Sequence, residues 1–206
     1  MTHHNKGNVF IISAASGTGK TTLVSRLCAN PDNRIRVSVS HTTRAPRAGE
    51  TDGEHYYFVS KETFMDLVGQ GAFLEHAEVF GNYYGTGMAG VEDLCNQGFD
   101  VILEIDIQGA EQVRRLLPDA VSVFILPPSL AELGERLRGR DTDSAEVVAR
   151  RLLKAEQEIQ QAFIFDFVVE NKDLDQAERD LLHIFKAHRF SQKQQRKTIE
   201  KVLQNH

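Results

Sequence analysis

The sequence predicts an α/β fold: a three-layer core on a parallel five-stranded sheet, interrupted by an inserted mixed α/β subdomain and by a helical lid. Three observations carry this reading. Short runs rich in Val and Ile alternate with helical patterns along much of the 206 residues, the arrangement of a parallel sheet covered on both faces. A loop of small residues, Ala14-Ala15-Ser16-Gly17-Thr18-Gly19, joins the first of those runs to a helical pattern. Residues 40–98 break the alternation with a polar, glycine-rich stretch too long for a plain crossover.

The first strand is Val9–Ile12, and Gly19–Asn30 reads as the helix after the loop. Strand, glycine-rich loop, Lys20-Thr21-Thr22 and helix form the context of a phosphate-binding P-loop. Backbone N–H groups of such a loop curl around phosphate oxygens, and the helix presents its positive end to them. Lys20 is placed to reach the β- and γ-phosphates and the Thr21 hydroxyl to bind Mg²⁺. The motif's first glycine is replaced by Ala14, which is tolerable where φ is negative.

Four further runs read as buried parallel strands: Ile35–Val39, Val101–Asp106, Val121–Leu126 and Asp166–Val169. Helical patterns cover Gln108–Leu117, Ser129–Arg138, Ser144–Gln161 and Asp173–His188, and the basic stretch Ser191–Asn205 reads as continuing helix with a solvated charged face. Within 40–98, short alternating runs suggest small antiparallel strands around one helix, Lys61–Val68. A second insert, Leu130–Gln161, carries Arg136, Arg138, Arg140, Arg150 and Arg151, more cations than a structural helical hairpin requires. A P-loop core with two inserts is the layout of a kinase that closes over two substrates.

Composition narrows the class. The formal net charge of −5 excludes a general nucleic-acid binder, so a polyanionic substrate must be met by a local cluster of cations. Cys28 and Cys95 show no metal-ligand spacing. No apolar h-region stands near the start of the sequence and no run approaches 18 apolar residues. A cytoplasmic protein without nucleic-acid or membrane partners is expected, as a monomer or a homo-oligomer.

A second anion site is written into SHTTRAPRAGE. Arg44 and Arg47 flank Pro46, and with the Ser40 hydroxyl these guanidiniums match the oxygens of a phosphate. FLEHAEVFGNYYGT then brings Glu75, Tyr84 and Thr86. VILEID ends a core strand with Glu104 and Asp106, which alternation sets on one face, at the carboxyl end where ligands of open α/β sheets bind.

These segments, with SAASGTGKTT, LEIDIQGA, FILPPS and LRGRD, resemble the nucleoside-monophosphate kinases and, among them, the guanylate kinase family. The likeness runs from Val9 to about Arg189, and TTRxPRxGE followed by GxxYxF is its most specific part. It implies ATP plus GMP (or dGMP) giving ADP plus GDP, with Mg²⁺. It also implies a P-loop core of residues 1–39, 99–129 and 162–206, a GMP-binding subdomain of 40–98 and a lid of 130–161. The implied GMP-phosphate positions are Ser40, Arg44, Arg47, Tyr56 and Tyr84; the guanine positions are Glu75, Thr86 and Glu104. Ala14, Ala15, Ser16, Gly17, Thr18, Gly19, Lys20, Thr21 and Thr22 form the ATP loop, and Asn171, just after the last strand, is placed on a loop that flanks adenine. Lys20, Arg44, Arg136, Arg140 and Arg151 carry the reaction, and Thr21 and, through water, Asp106 hold Mg²⁺. Two residues depart from the common pattern: Glu104, where aspartate also occurs, and Asp141, where glycine is frequent.

The chemistry of the residues agrees. Guanine offers two donors along one edge, and an ionised carboxylate is acceptor-only. The acids are therefore read as base selection. His41, His55 and His76 lie near the acceptor site but receive no catalytic role. Two other readings were weighed: a non-catalytic scaffold of the same fold, against which Lys20 and Thr21 stand intact, and a P-loop kinase for another acceptor, against which the arginine pair and Glu75 stand.

Overall fold

The computed structural model describes residues 6–139 and 145–204. In chain order the elements are β1 (Val9–Ala14), α1 (Lys20–Ala29), β2 (Ile35–Val37), β3 (His41–Thr42), β4 (Tyr57–Phe58), α2 (Lys61–Gly69), β5 (Phe73–Val79), β6 (Asn82–Gly87), α3 (Met88–Asn96), β7 (Asp100–Glu104), α4 (Ile107–Leu116), β8 (Val121–Leu126), α5 (Leu130–Arg138), α6 (Ala145–Gln160), β9 (Phe167–Glu170), α7 (Leu174–Arg189) and α8 (Arg196–Gln204).

The five-stranded sheet has the order β2-β7-β1-β8-β9, and every pairing in it is parallel. Alternation along β1 explains its two buried faces. Phe10 and Ile12 point to a cluster with Leu23, Leu27, Leu181 and Phe185 from α1 and α7. Ile11 points the other way, to Leu103, Val113, Phe124 and Phe165. Phe10 and Phe185 stack with ring centroids 3.8 Å apart. Three helices that follow core strands, α4, α5 and α7, begin on side-chain caps: Asp106 accepts from Gly109 N–H, Ser129 from Glu132 N–H and Asp173 from Gln176 N–H.

The inserted sheet has the order β4-β3-β6-β5. Its β3–β4 pair is parallel, contrary to the antiparallel expectation. The long loop of residues 43–56 returns the chain to the same end before it pairs again, which only a parallel partner satisfies. The expected single helix is joined by a second, α3, whose Val91 and Cys95 pack into the core cluster around Ile11 and Leu103. Gly90 and Asn96 weaken its sequence signal.

The C-terminal helix is also broken. α7 ends at Arg189, turns follow, and α8 begins at Arg196. The end of α7 is fastened by a buried ion pair: Asp100 accepts from Arg189 Nε at 2.7 Å and from the backbone and side chain of Asn8 at 2.9 Å. No helix among the described residues is long and apolar enough to cross a membrane.

Candidate functional site

The P-loop bends between β1 and α1. Ala14 ends β1 without positive φ, as an alanine there requires, whereas Gly17 and Gly19 adopt φ of 93° and 91°. A Cβ on Gly19 would stand 2.6 Å from Asn171 Nδ2, so this position is closed to other residues by both conformation and space. Thr18 is buried and its hydroxyl donates to the Ala15 carbonyl. Asn171, buried beyond β9, donates from Nδ2 to the Thr18 carbonyl at 2.6 Å. The asparagine is therefore a brace on the loop rather than a group lying free beside it. No side chain caps α1, which leaves its first-turn N–H groups for an anion. Ala14 to Thr22 line a cavity of about 390 Å³ together with Glu104 and Glu158.

Lys20 is largely covered. Its Nζ lies 3.4 Å from the Ile105 carbonyl and 3.8 Å from Glu104 Oε1. Burial lowers its pKa, and the carboxylates of Glu104, Asp106 and Glu158 oppose that shift. Thr21 donates from Oγ1 to Glu104 Oε1 at 2.5 Å.

Glu104 thus has its partners on the P-loop, Lys20 and Thr21, and lies within electrostatic reach of Tyr56 on the insert. The alternation argument ends where the strand ends: β7 stops at Glu104, and Asp106 is the N-cap of α4, with Oδ1 2.9 Å from Gly109 N. Asp106 lies within electrostatic reach both of Glu75, whose pKa it helps to raise, and of Lys20.

On the insert side, Glu75 is 7% exposed. Its Oε1 accepts from Thr86 Oγ1 at 2.6 Å, and Thr86 Oγ1 is 3.4 Å from Ser40 Oγ. Burial pushes the Glu75 carboxyl above its ordinary range, and the Thr86 hydrogen bond offsets part of that. A Cβ at Gly109 would meet Glu75 Oε2 at 3.1 Å, so glycine in LEIDIQGA lets the first turn of α4 come up to the carboxylate.

Arg44 is held from several directions. Its Nη1 and Nη2 donate to Glu50 at 3.0 and 2.8 Å, Nη1 also donates to the Ala45 carbonyl at 2.8 Å, and its guanidinium lies 5.5 Å from the Tyr56 ring centroid. Tyr56 and Tyr84 meet edge to face at 6.0 Å. Glu50 also accepts from Arg47 N at 2.7 Å, and its pKa falls to about 2, chiefly through Arg44. The Arg47 side chain is exposed. Glu50 was not singled out from the sequence, although an acid so soon after two arginines is a local sign of a pair. Glu158 carries no such sign, because only the path of α6 brings it to Lys20.

The lid approaches the loop directly. Leu133, Leu137, Val148 and Ala155 cluster with Ala15. Arg136 donates to Glu132 at 2.7 Å and to the Asn171 carbonyl at 3.0 Å, and Arg151 donates to Ser16 Oγ at 2.9 Å. Arg140 and Asp141 lie outside the described residues. His41 packs its ring against Tyr57 and Phe73.

A parallel core with a P-loop, an inserted subdomain bearing arginines and a helical hairpin bearing more of them is the layout of a nucleotide kinase. The model of the guanylate kinase family matches residues 6–188. The guanylate kinase of Neisseria gonorrhoeae is 62% identical over 205 residues, covering 100% of each chain, and that of Vibrio cholerae is 50% identical over 191 residues, covering 92% of each. The crystal structure of guanylate kinase from Anaplasma phagocytophilum superposes with a TM-score of 0.71 at 34% identity, covering 91% of this chain and 88% of that one. The chain belongs to the guanylate kinase family, enzymes that phosphorylate GMP with ATP.

Proposed function

We propose that this chain moves the γ-phosphoryl group of ATP to GMP, and to dGMP, with the following division of labour. Residues 14–22 and Lys20 hold the donor phosphates, braced by Asn171. Ser40, Arg44, Arg47, Tyr56 and Tyr84 hold the acceptor phosphate, and Glu75 with Thr86 reads the guanine edge. The observation that carries the reading is Glu75: a buried carboxylate whose Oε1 accepts from Thr86. Such a group offers acceptors to a base that brings two donors.

A GMP phosphate oxygen is already a nucleophile. It attacks the γ-phosphorus, the bond from that phosphorus to the β–γ bridging oxygen breaks, and ADP leaves. The residues contribute alignment and neutralisation of charge on the moving group. Lys20, Arg136 and Arg151 are suited to that charge by their positions around the loop, and Arg140 is assigned from the sequence alone. Mg²⁺ fits the oxygens at hand. Thr21 Oγ1 and Glu104 Oε1 are hard donors 2.5 Å apart, and a cation carried by ATP phosphates needs only one or two protein oxygens. That agrees with the lack of a three-ligand cluster among the described residues. When bound, the ion would neutralise charge on the β- and γ-oxygens. The acid nearest that position is Glu104, so we assign it the water-mediated contact first expected of Asp106. Asp106 goes to the α4 cap beside Glu75.

The packing of α3 on the core sheet supports ending the GMP-binding subdomain near Gly87 rather than at residue 98. The 130–161 lid and the cytoplasmic setting are kept as expected from the sequence.

Arg44→Ala and Arg47→Ala test the clamp. Both are expected to weaken GMP and leave ATP binding close to wild type when each nucleotide is titrated separately by calorimetry. The loss for Arg44 should be the larger, at about 1.5–3 kcal/mol for a hydrogen bond to a charged group. Equal losses for the two nucleotides would remove the clamp from the acceptor site.

A further inference from the structure

The strand that carries Glu75 is fastened from the core as well as from the insert. β5 is an edge strand of the inserted sheet, with β6 on one side only. In an antiparallel pair every second residue turns its backbone N–H and C=O away from the partner strand. On an edge strand those groups meet no further strand. His76, the residue after Glu75, finds its partner on α4 instead. Gln112 Oε1 accepts from His76 N–H at 3.2 Å, and Gln112 Nε2 donates to the His76 carbonyl at 3.2 Å. A primary amide carries an acceptor and donors on one planar group, so a single side chain does here what a neighbouring strand would do.

This contact brackets Glu75. On its amino side Leu74 is buried in the core cluster that includes Val113 of α4. On its carboxyl side His76 is tied to Gln112. Gly109, three residues before Gln112 and so on the same face of α4, leaves room for Glu75 Oε2, which a Cβ there would meet at 3.1 Å. Beyond His76 the strand runs out toward solvent, with Glu78 and Val79 exposed.

We infer that Gln112 is a positioning residue for base selection: by clamping the His76 backbone to α4, it fixes the Glu75 carboxylate against the core, where the guanine edge is read. The inference rests on the reading of Glu75 proposed above. Without the clamp β5 is anchored on one side of Glu75 only, and the carboxylate, held by Thr86, follows the insert rather than the core. The Arg44–Glu50 pair and the bonds of Lys20, Thr21 and Asn171 are made without Gln112, so its loss falls on the base and not on phosphoryl transfer.

Steady-state kinetics of the full chain, with GMP or AMP varied at saturating ATP, test this in Gln112→Met and Gln112→Glu. Methionine keeps the length and helix propensity of the side chain and removes both hydrogen bonds. Glutamate keeps the shape and the acceptor for His76 N–H but sets a charge against the His76 carbonyl. Both should raise the KM for GMP about tenfold, leave kcat and the KM for ATP close to the parent, and narrow the GMP-to-AMP ratio of kcat/KM. A rise in KM at constant kcat marks lost binding rather than lost chemistry. In Gln112→Met the acid limb of GMP binding should also move to lower pH. Asp106, the other acid within reach of Glu75, is unchanged there, and a carboxylate released from burial titrates nearer its ordinary value. In a Glu75→Gln background Gln112→Met should leave the ratio unmoved, because the two residues act through one contact. A parent-like ratio in either Gln112 variant overturns the inference. So do an acid limb that stays in place, a matching rise in the KM for ATP, and an equal effect with and without Glu75. If Glu75→Gln itself leaves the ratio unchanged, the reading of Glu75 falls and this inference with it. A ratio that moves with Glu75 and not with Gln112 overturns this inference alone.

Discussion

Replacing Lys20 with methionine is expected to remove phosphoryl transfer while the fold remains. The ammonium is largely covered, 3.4 Å from the Ile105 carbonyl and 3.8 Å from Glu104, inside the cavity that the P-loop lines. Methionine keeps an unbranched stem for the packing and deletes the charge. A covered cation acts through a low local dielectric, so its loss is felt strongly by charge developing on the γ-phosphoryl group. The expected fall in kcat is about 10²–10³-fold or more, the scale seen when one preorganised electrostatic donor is lost. Thermal unfolding should shift little, because Glu104 keeps its hydrogen bond from Thr21. Single-turnover kinetics with saturating ATP and GMP, beside a melting curve, make the measurement. A folded variant that retains more than a tenth of the parent rate contradicts the assignment.

Glu75→Gln is expected to narrow the discrimination between GMP and AMP. The amide preserves shape but converts half of the acceptor group into a donor. Guanine then faces one mismatched group, and adenine N1 gains a partner. The ratio of kcat/KM for GMP to that for AMP should shift by about 1–3 kcal/mol, the cost of a buried polar group left unmatched. Glu104→Gln serves as the contrast: standing beside Lys20 and Thr21, it should slow turnover and leave the ratio unchanged. A ratio that moves with Glu104 and not with Glu75 would return the guanine contact to the strand end.

The pH dependence has a definite sign. Burial raises the Glu75 pKa, and the ionised form is the one that accepts from guanine. GMP binding should therefore weaken as pH falls through that raised value, with KM rising on the acid side. Glu50 stays ionised to about pH 2, so the Arg44 clamp does not titrate over the same range. The acid limb should flatten in Glu75→Gln.

Much of this site was legible because its parts are contiguous. Gly17, Gly19, Lys20 and Thr21 sit in one loop whose conformation glycine dictates. The three central strands β7, β1 and β8 were readable because each is a short apolar run buried on both faces, and the edge strands β2 and β9 because they are short apolar runs, although part of their surface is open. What escaped depends on where the chain stops or turns. Glu104 and Asp106 are two residues apart on a run that reads as one strand, but the α4 cap begins at Asp106, so strand alternation no longer sets the direction of its side chain. The β3–β4 pairing depends on the course of the 43–56 loop, which no period in the sequence encodes. α3 escaped because Gly90 and Asn96 dilute its helical pattern, although it packs on β7, the next strand in the chain. Asn171 was expected beside adenine, and its grip on the Thr18 carbonyl arises from tertiary approach alone.

The central claim is that a P-loop donor site and a Glu75-centred acceptor site work together on one base. Its most direct test is ADP release by the purified parent chain with ATP and each of GMP, dGMP, AMP, CMP and UMP. GMP and dGMP should turn over, and the other three should be slower in kcat/KM by about 10²-fold or more, as for a site that selects by hydrogen bonds. Comparable rates with AMP and GMP, or no rate with GMP, would contradict the account.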